Sequence, residues 1–424
     1  MTSAVARIAR SQITVARNLL RGWPIVYTGP TSMTIDQDDL ELAARLIRDR
    51  SRWSDISPID EFERTFADWN GSRHALTFVS GRVALAAALQ ALGLGRGDEV
   101  IVPGYTCVVV ANALKHAGVE PVYADIELQT YGLDAAALGA AITPRTKAVV
   151  VHHLYGLVSR DLAEAIEIAR TRGLFIIEDC AQAAGAALAD RRVGNFGDVG
   201  IFSADPSKPF NCVQGGIAVT NDERVFGRLA AIQGGMGVHD EETTASRLRN
   251  VSLNYLLNKD PQRWWKADIA WARHGDEYFF GIPAPEVEGG APADAGRRMS
   301  APLAQMALNQ LKKLDYYNDR RRANAVRWTA WCRTNGFEPP LVLPGSTPTF
   351  LRYPVLVRPE MKQNLRWAYR SLGVVPGVWF TSHLHPAPAR LDHLPNATTA
   401  VERCINFPTL YFEDRWGPGS PHAG

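Results

Sequence analysis

Between residues 75 and 222, short apolar runs alternate with amphipathic stretches, the pattern of a mostly parallel sheet wrapped by helices. The runs predict strands at 75–79, 99–102, 121–125, 148–152, 175–178, 200–203 and 216–220. Between the first two, Val83, Leu85, Leu89 and Leu92 mark one face of a helix that stops at Gly93 and Gly95. A second helix runs from Asp161 to Arg172 and stops at Gly173. After residue 225 the pattern weakens, and the Pro-, Gly- and Ala-rich run from Ile282 to Gly296 reads as a mobile loop or lid. A long helix follows from Pro302 to about Cys332, its inner face marked by Leu303, Met306, Leu311 and Leu314, and a strand resumes within 349–357. An open sheet of this kind takes ligands outside the carboxyl ends of its strands, so residues just past each run are the candidates for chemistry.

A chain of 424 residues exceeds what one hydrophobic core usually organises. The expected division is a basic N-terminal arm (1–35), a large domain (36–325, with a variable insertion or lid at 235–296) and a smaller C-terminal domain with its tail (326–424). Charged residues are 21% and apolar ones 46%, as in soluble enzymes. The net charge of +2 argues against a dedicated nucleic-acid partner. Five scattered cysteines without a CxxC pair suggest neither a zinc site nor a disulfide framework, and point to the reducing cytoplasm. No apolar run approaches the roughly 18 residues needed to span a bilayer. The arm carries Arg7, Arg10, Arg17 and Arg21 and no acid. It reads as a segment packed on the body or on a partner subunit, the alternative being a basic helix lying on an anionic membrane.

Three strand ends carry the chemistry. Ser80, Gly81 and Arg82 turn from strand into helix, where free N–H groups and the helix dipole favour a phosphate and an arginine adds a fork for its oxygens. Asp179 ends the apolar run LFIIED; it suits a protonated pyridine nitrogen, or else a helix cap or an arginine. Gln182, three residues on, is placed to reach the same ring's oxygen substituent. Lys208 lies in FSADPSKPFN, past a third strand; alone it reads as a solvated loop lysine, but buried it would lose its proton and form a Schiff base. Phosphate turn, carboxylate and lysine, in that order at different strand ends, are what one molecule of pyridoxal 5'-phosphate needs. Neither Walker nor dinucleotide-binding spacing is present.

The segments VSGRVALAAALQALGLGRGDEVIVPGYT, IIEDCAQAAGA, VGNFGDVGIFS and GGIAVTND resemble the DegT/DnrJ/EryC1/StrS family of sugar aminotransferases, over roughly residues 58–325. The resemblance implies an aspartate-aminotransferase-like α/β fold, with a large mostly parallel sheet domain and a smaller C-terminal α/β domain. It also implies a homodimer with active sites at the subunit interface. Lys208 then falls on the Schiff-base lysine that also moves the proton, Asp179 on the partner of the pyridine nitrogen and Gln182 beside it. Ser203 falls on a phosphate contact, and Gly81 and Arg82 on the phosphate turn. The implied reaction transfers an amino group from glutamate or glutamine to a keto sugar, nucleotide-linked, or to a keto cyclitol. The alternatives are a dehydratase or aldol-type enzyme on the same cofactor, or a non-catalytic protein of this fold; retention of Lys208 favours transamination.

Departures from the family pattern stand at Arg82, where Thr or Ser is usual, and at Gly296, where an asparagine often reaches across the dimer. Cys107 stands where many members stack an aromatic residue on the ring, with Tyr105 two residues earlier; either covers the ring. His383, in TSHLHP, is a candidate substrate contact, and with His385 it lacks a third ligand for a metal. His152 and His153 read as strand packing. Arg320, Arg321 and Arg322 read as a solvated or dimer-facing surface that an anionic nucleotide could also use.

Overall fold

The computed structural model describes residues 26–27, 34–258, 282–372 and 374–410. The N-terminal arm with its four arginines, Trp264, Trp265, Trp271 and the tail from Trp416 lie outside the described residues, apart from 26–27 and 34–35 of the arm.

All seven predicted strands form, each within two residues of its expected ends. They are β1 His74–Phe78, β2 Glu99–Pro103, β3 Glu120–Ala124, β4 Thr146–His152, β5 Phe175–Asp179, β6 Val199–Ser203 and β7 Gly216–Thr220. They join in one sheet of order β1-β7-β6-β5-β4-β2-β3. Every pairing is parallel except those of β7, which runs antiparallel to both β1 and β6.

Alternation along each strand feeds two cores. Ile101, Val149, Val151, Ile176, Phe202 and Ile217 face one, against α1 Gln37–Arg48, α2 Ser57–Asn70 and other helices. Val100, Ala148, Val150, Ile177, Ile201 and Ala218 face the other, beneath α3 Gly81–Ala91 and α4 Val108–His116. Burial on both faces is why these strands read as continuous apolar runs rather than polar–apolar alternations. The second predicted helix is α5 Leu162–Thr171, and α6 Glu223–Gly234 lies beside α3.

Where the periodicity weakened, the chain is still helical. Helix α7 Glu241–Asn258 packs on α1 through Leu248 and Val251. The stretch 282–296 is not a bare loop: it contains the single turn α8 Ala284–Val287. Asn112 Nδ2 donates to Glu286 O at 2.5 Å, and His116 Nε2 pairs with Gly289 O at 3.0 Å, so α4 holds the segment in place.

The long helix, α9 Ala301–Thr334, serves two cores. Leu303, Met306, Leu311 and Leu314 are buried against the large sheet, as their spacing predicted. Further along, Ala325, Trp328 and Cys332 enter a third core. There they meet β8 Arg352–Leu356, its antiparallel partner β9 Cys404–Pro408, and α10 Pro395–Arg403. Tyr105, Tyr131 and Tyr155 cross from the first half of the chain to join them.

The expectation of a solvated arginine surface at 320–322 is corrected at its centre. Arg321 is fully buried, and burial depresses its pKa to about 9. Its Nη1 donates to Asn318 Oδ1 at 2.7 Å and its Nη2 to Pro209 O at 2.9 Å. Successive helical residues point about 100° apart, so three adjacent arginines cannot share one environment. Among the described residues, no helix is long and apolar enough to cross a membrane.

The antiparallel β7 enters the sheet against the turn after β1. A methyl at Gly216 would lie 2.1 Å from Ser80 O and 2.5 Å from Gly81 N, both backbone atoms that cannot yield cheaply. Gly216→Ala is therefore expected to cost about 2–3 kcal/mol, as overpacking does. Urea denaturation measures it; an unchanged midpoint would mean that the turn does not press on β7.

Candidate active site

The carboxyl edge of the sheet gathers the residues singled out in the sequence. Cys107, the N-cap of α4, is only partly covered, and burial pushes its thiol pKa up. Lys208 and Arg82 pull the other way, while Asp179 adds to the rise. One sulfur thus senses side chains that follow β1, β5 and β6, which places the phosphate turn, the carboxylate and the lysine around a common space.

Ser80 ends the strand side of the turn in extended conformation, and Gly81 opens α3. The first N–H groups of a helix have no intrahelical acceptor. Ser80 makes no side-chain cap bond, and its hydroxyl and that of Ser203 are buried without a hydrogen-bond partner. A methyl at Gly81 would lie 3.1 Å from Ser203 Cβ, so a side chain there would press on the end of β6. Two bare buried hydroxyls beside a helix start fit a bound phosphate.

Asp179 Oδ1 accepts from Ala181 N at 3.0 Å, which orients the carboxylate at the end of β5. In the register of the sheet its neighbour is His152. Burial lowers the His152 pKa to about 4, keeping the ring neutral at ordinary pH. Its Nε2 pairs with Tyr131 O at 2.7 Å, while Nδ1 is buried without a partner, near enough for Asp179 to act on the ring. His152 is thus part of the site's wall as well as of the strand. Gln182 Oε1 accepts from Tyr155 N at 2.8 Å, which leaves its NH2 group as the end available to a ligand.

Tyr105 is turned away from this space. It is fully buried in the third core, its hydroxyl bonded to Tyr155 Oη at 3.0 Å and to Trp379 O at 3.1 Å, and accepting from Phe380 N at 2.8 Å. Cys107, not Tyr105, faces the site. His383 is also committed elsewhere: Nε2 pairs with Thr398 Oγ1 at 3.1 Å and Nδ1 accepts from Leu391 N at 3.3 Å. The residue alongside Cys107 is His385, through the short parallel pairing of 384–385 with 106–107. Its Nδ1 pairs with Thr381 Oγ1 at 2.9 Å.

Asp205, also within FSADPSKPFN, belongs to the same site and has no role in the sequence reading. Its carboxyl pKa is raised by burial, against the pull of Arg82 and Lys208. The only signal was its place three residues before the lysine.

His153, Glu178 and Cys180 bring ligand-type atoms within 4.8 Å of one another in the interior. They form a closed hydrogen-bond set instead of an open metal site. Glu178 accepts from Gly194, Phe196 and Gly197 N at 2.8, 2.6 and 2.7 Å and pairs with His153 Nε2 at 3.1 Å. Burial drives the Cys180 thiol pKa well up, away from the thiolate a metal requires.

Comparison with known proteins gives a consistent result. The profile of the DegT/DnrJ/EryC1/StrS aminotransferase family matches residues 34–411. The chain is 33% identical over 333 residues to the L-glutamine:2-deoxy-scyllo-inosose aminotransferase of Streptomyces kanamyceticus, covering 77% of this chain and 68% of that one. It is 30% identical over 378 residues to the spore coat polysaccharide biosynthesis protein SpsC of Bacillus subtilis, covering 84% and 86%. Among solved structures, S. venezuelae DesV in complex with a ketimine intermediate superposes with a TM-score of 0.64 at 26% identity, over 87% of this chain and 91% of that one.

The raised pKa of Asp205 has a sign that can be tested. Below its unfolded value, near 3.8, the carboxyl is protonated in both states and costs nothing. As pH rises towards and through the folded value, burying the charge opposes folding. Asp205→Asn is expected to raise the melting temperature of cofactor-free protein at pH 7, with the gain shrinking as pH falls towards 4. A gain independent of pH would exclude this charge as its source.

Proposed function

Because the chain belongs to the DegT/DnrJ/EryC1/StrS aminotransferase family, we propose that it moves an amino group from glutamate or glutamine to a keto sugar or keto cyclitol in a biosynthetic route. It is a pyridoxal-phosphate-dependent aminotransferase. The observation that carries the reading is the convergence of Lys208, Asp179 and Arg82, from three strand ends, on the space beside Cys107. Relatives of both kinds support the substrate class: the 2-deoxy-scyllo-inosose aminotransferase named above acts on a cyclitol, and a UDP-N-acetyl-3-dehydro-α-D-glucosamine 3-aminotransferase of Acidithiobacillus ferrooxidans, 42% identical over 172 residues, acts on a nucleotide-linked keto sugar.

The cofactor supplies an electron sink and a carrier for nitrogen. In this reading Lys208 Nζ would hold the cofactor and serve as the base and acid that moves the substrate proton. Asp179, beside neutral His152, would keep the pyridine nitrogen protonated. The NH2 of Gln182 would be free to donate to the ring's oxygen substituent. Ser80, Gly81, Arg82 and Ser203 would hold the phosphate, and Cys107 would line the same space.

The reading extends to a homodimer in which the second copy completes each site, and to the cytoplasm; the five free cysteines support the latter.

Glutamate or glutamine is expected to abolish the visible absorbance of the lysine-bound cofactor, and a suitable keto substrate to restore it. A panel of nucleotide-linked keto sugars and keto cyclitols tests this, and failure of every member to restore the band would overturn the reading. Lys208→Ala is expected to lack the band and to lower turnover by about a thousand-fold or more, the range for loss of a general acid–base.

A further inference from the structure

The phosphate turn has an acidic neighbour that the sequence gave no reason to place there. Arg82 Nε lies 3.1 Å from Glu286 Oε2, and both side chains are largely buried, 12% and 6% exposed. Glu286 comes from the short α8, far along the chain. It is held from two sides: its own carbonyl accepts from Asn112, and the following turn is tied to His116. The backbone that carries the carboxylate is therefore held in place beside the arginine.

A guanidinium carries five N–H donors arranged on different edges of one plane. Glu286 meets the Nε edge as an ion pair at 3.1 Å whose geometry falls short of a hydrogen bond, so Nε itself is buried without one. The terminal nitrogens make no hydrogen bond within the described protein, and they are not among the buried atoms left unsatisfied, so they stay open to a ligand. The bare hydroxyls of Ser80 and Ser203 flank the same turn. An arginine has long rotamer freedom to lose when it binds, and a partner on its inner edge removes that freedom beforehand.

We infer that Glu286 is a positioning residue for the cofactor phosphate: its largely buried ion pair with Arg82 holds the guanidinium so that the terminal fork is presented to the phosphate oxygens. This rests on the reading of Arg82 as a phosphate ligand. The opposite outcome is physically real, because a carboxylate near a phosphate also repels it. The geometry favours positioning, since Glu286 meets the edge of Arg82 away from the open fork.

A double-mutant cycle decides the matter, with cofactor-free protein titrated against pyridoxal phosphate and against pyridoxal, which lacks the phosphate. Glu286→Ala is expected to weaken pyridoxal phosphate by about ten-fold, the size of one charge-assisted contact. Pyridoxal affinity should stay unchanged, which also confirms that the variant is folded. Glu286→Gln, which keeps the shape and removes the charge, should lose nearly as much as Glu286→Ala; full recovery would show that the charge pair does not position Arg82. Arg82→Ala should weaken pyridoxal phosphate at least as much, and adding Glu286→Ala to it should do nothing further. Tighter binding by Glu286→Ala, or losses that add in the double variant, would overturn the inference and leave Arg82 as a ligand. If Arg82→Ala leaves the preference for pyridoxal phosphate over pyridoxal intact, the reading of Arg82 itself fails.

Discussion

A sheet covered on both faces has nowhere to keep polar chemistry except its edges, and that constraint organises this molecule. Strand residues are divided between two apolar cores, so a carboxylate or a lysine can be tolerated only where a strand ends. Asp179 is the last residue of β5, Ser203 the last of β6, and Ser80 follows β1 within two residues. Within this sheet β7, antiparallel to both its neighbours, sits between β1 and β6 and brings their ends together. Gly216 is the place where this approach leaves no room for a side chain, and Gly81 one where the contact is tight. The phosphate turn is thus a by-product of strand order.

The same constraint explains what could be read from the sequence. Doubly buried strands have few polar positions to blur their limits, so all seven were visible as apolar runs. The inner face of α9 was equally plain, because Leu303, Met306, Leu311 and Leu314 repeat at helical spacing against one core. Helix α7 was obscure for the converse reason: only one side of it, carried by Leu248, Val251 and Tyr255, meets the core.

Side-chain direction was the part the sequence could not supply. Cys107 and Tyr105 are two residues apart, yet one faces the site and the other is sealed in the third core; the pairing of 106–107 with 384–385, distant in the chain, makes that choice. Arg320, Arg321 and Arg322 look alike in a row, but only the middle one points inward, where a backbone carbonyl next to Lys208 replaces the water it loses. His383 satisfies its own loop. Glu286 was hidden in a stretch whose composition spoke only of turns, and its partner became visible when the chain was folded. In each case the deciding contact lies more than a hundred residues away or within a segment lacking periodicity.

The third core has a consequence for how the chain is made. Tyr155 bonds to Trp379 O at 2.6 Å and meets Cys404 Sγ at 3.6 Å, while Tyr105 depends on the same late segment. During synthesis the large sheet can assemble once β7 has emerged, but the contacts of these tyrosines to Trp379 and Cys404 must wait until that later segment has left the ribosome. Closure of such distant contacts is intrinsically slow and leaves apolar surface open meanwhile. Residues beside Cys107 and Gln182 therefore reach their final positions last, so that a nascent chain acquires its scaffold well before it acquires a finished site.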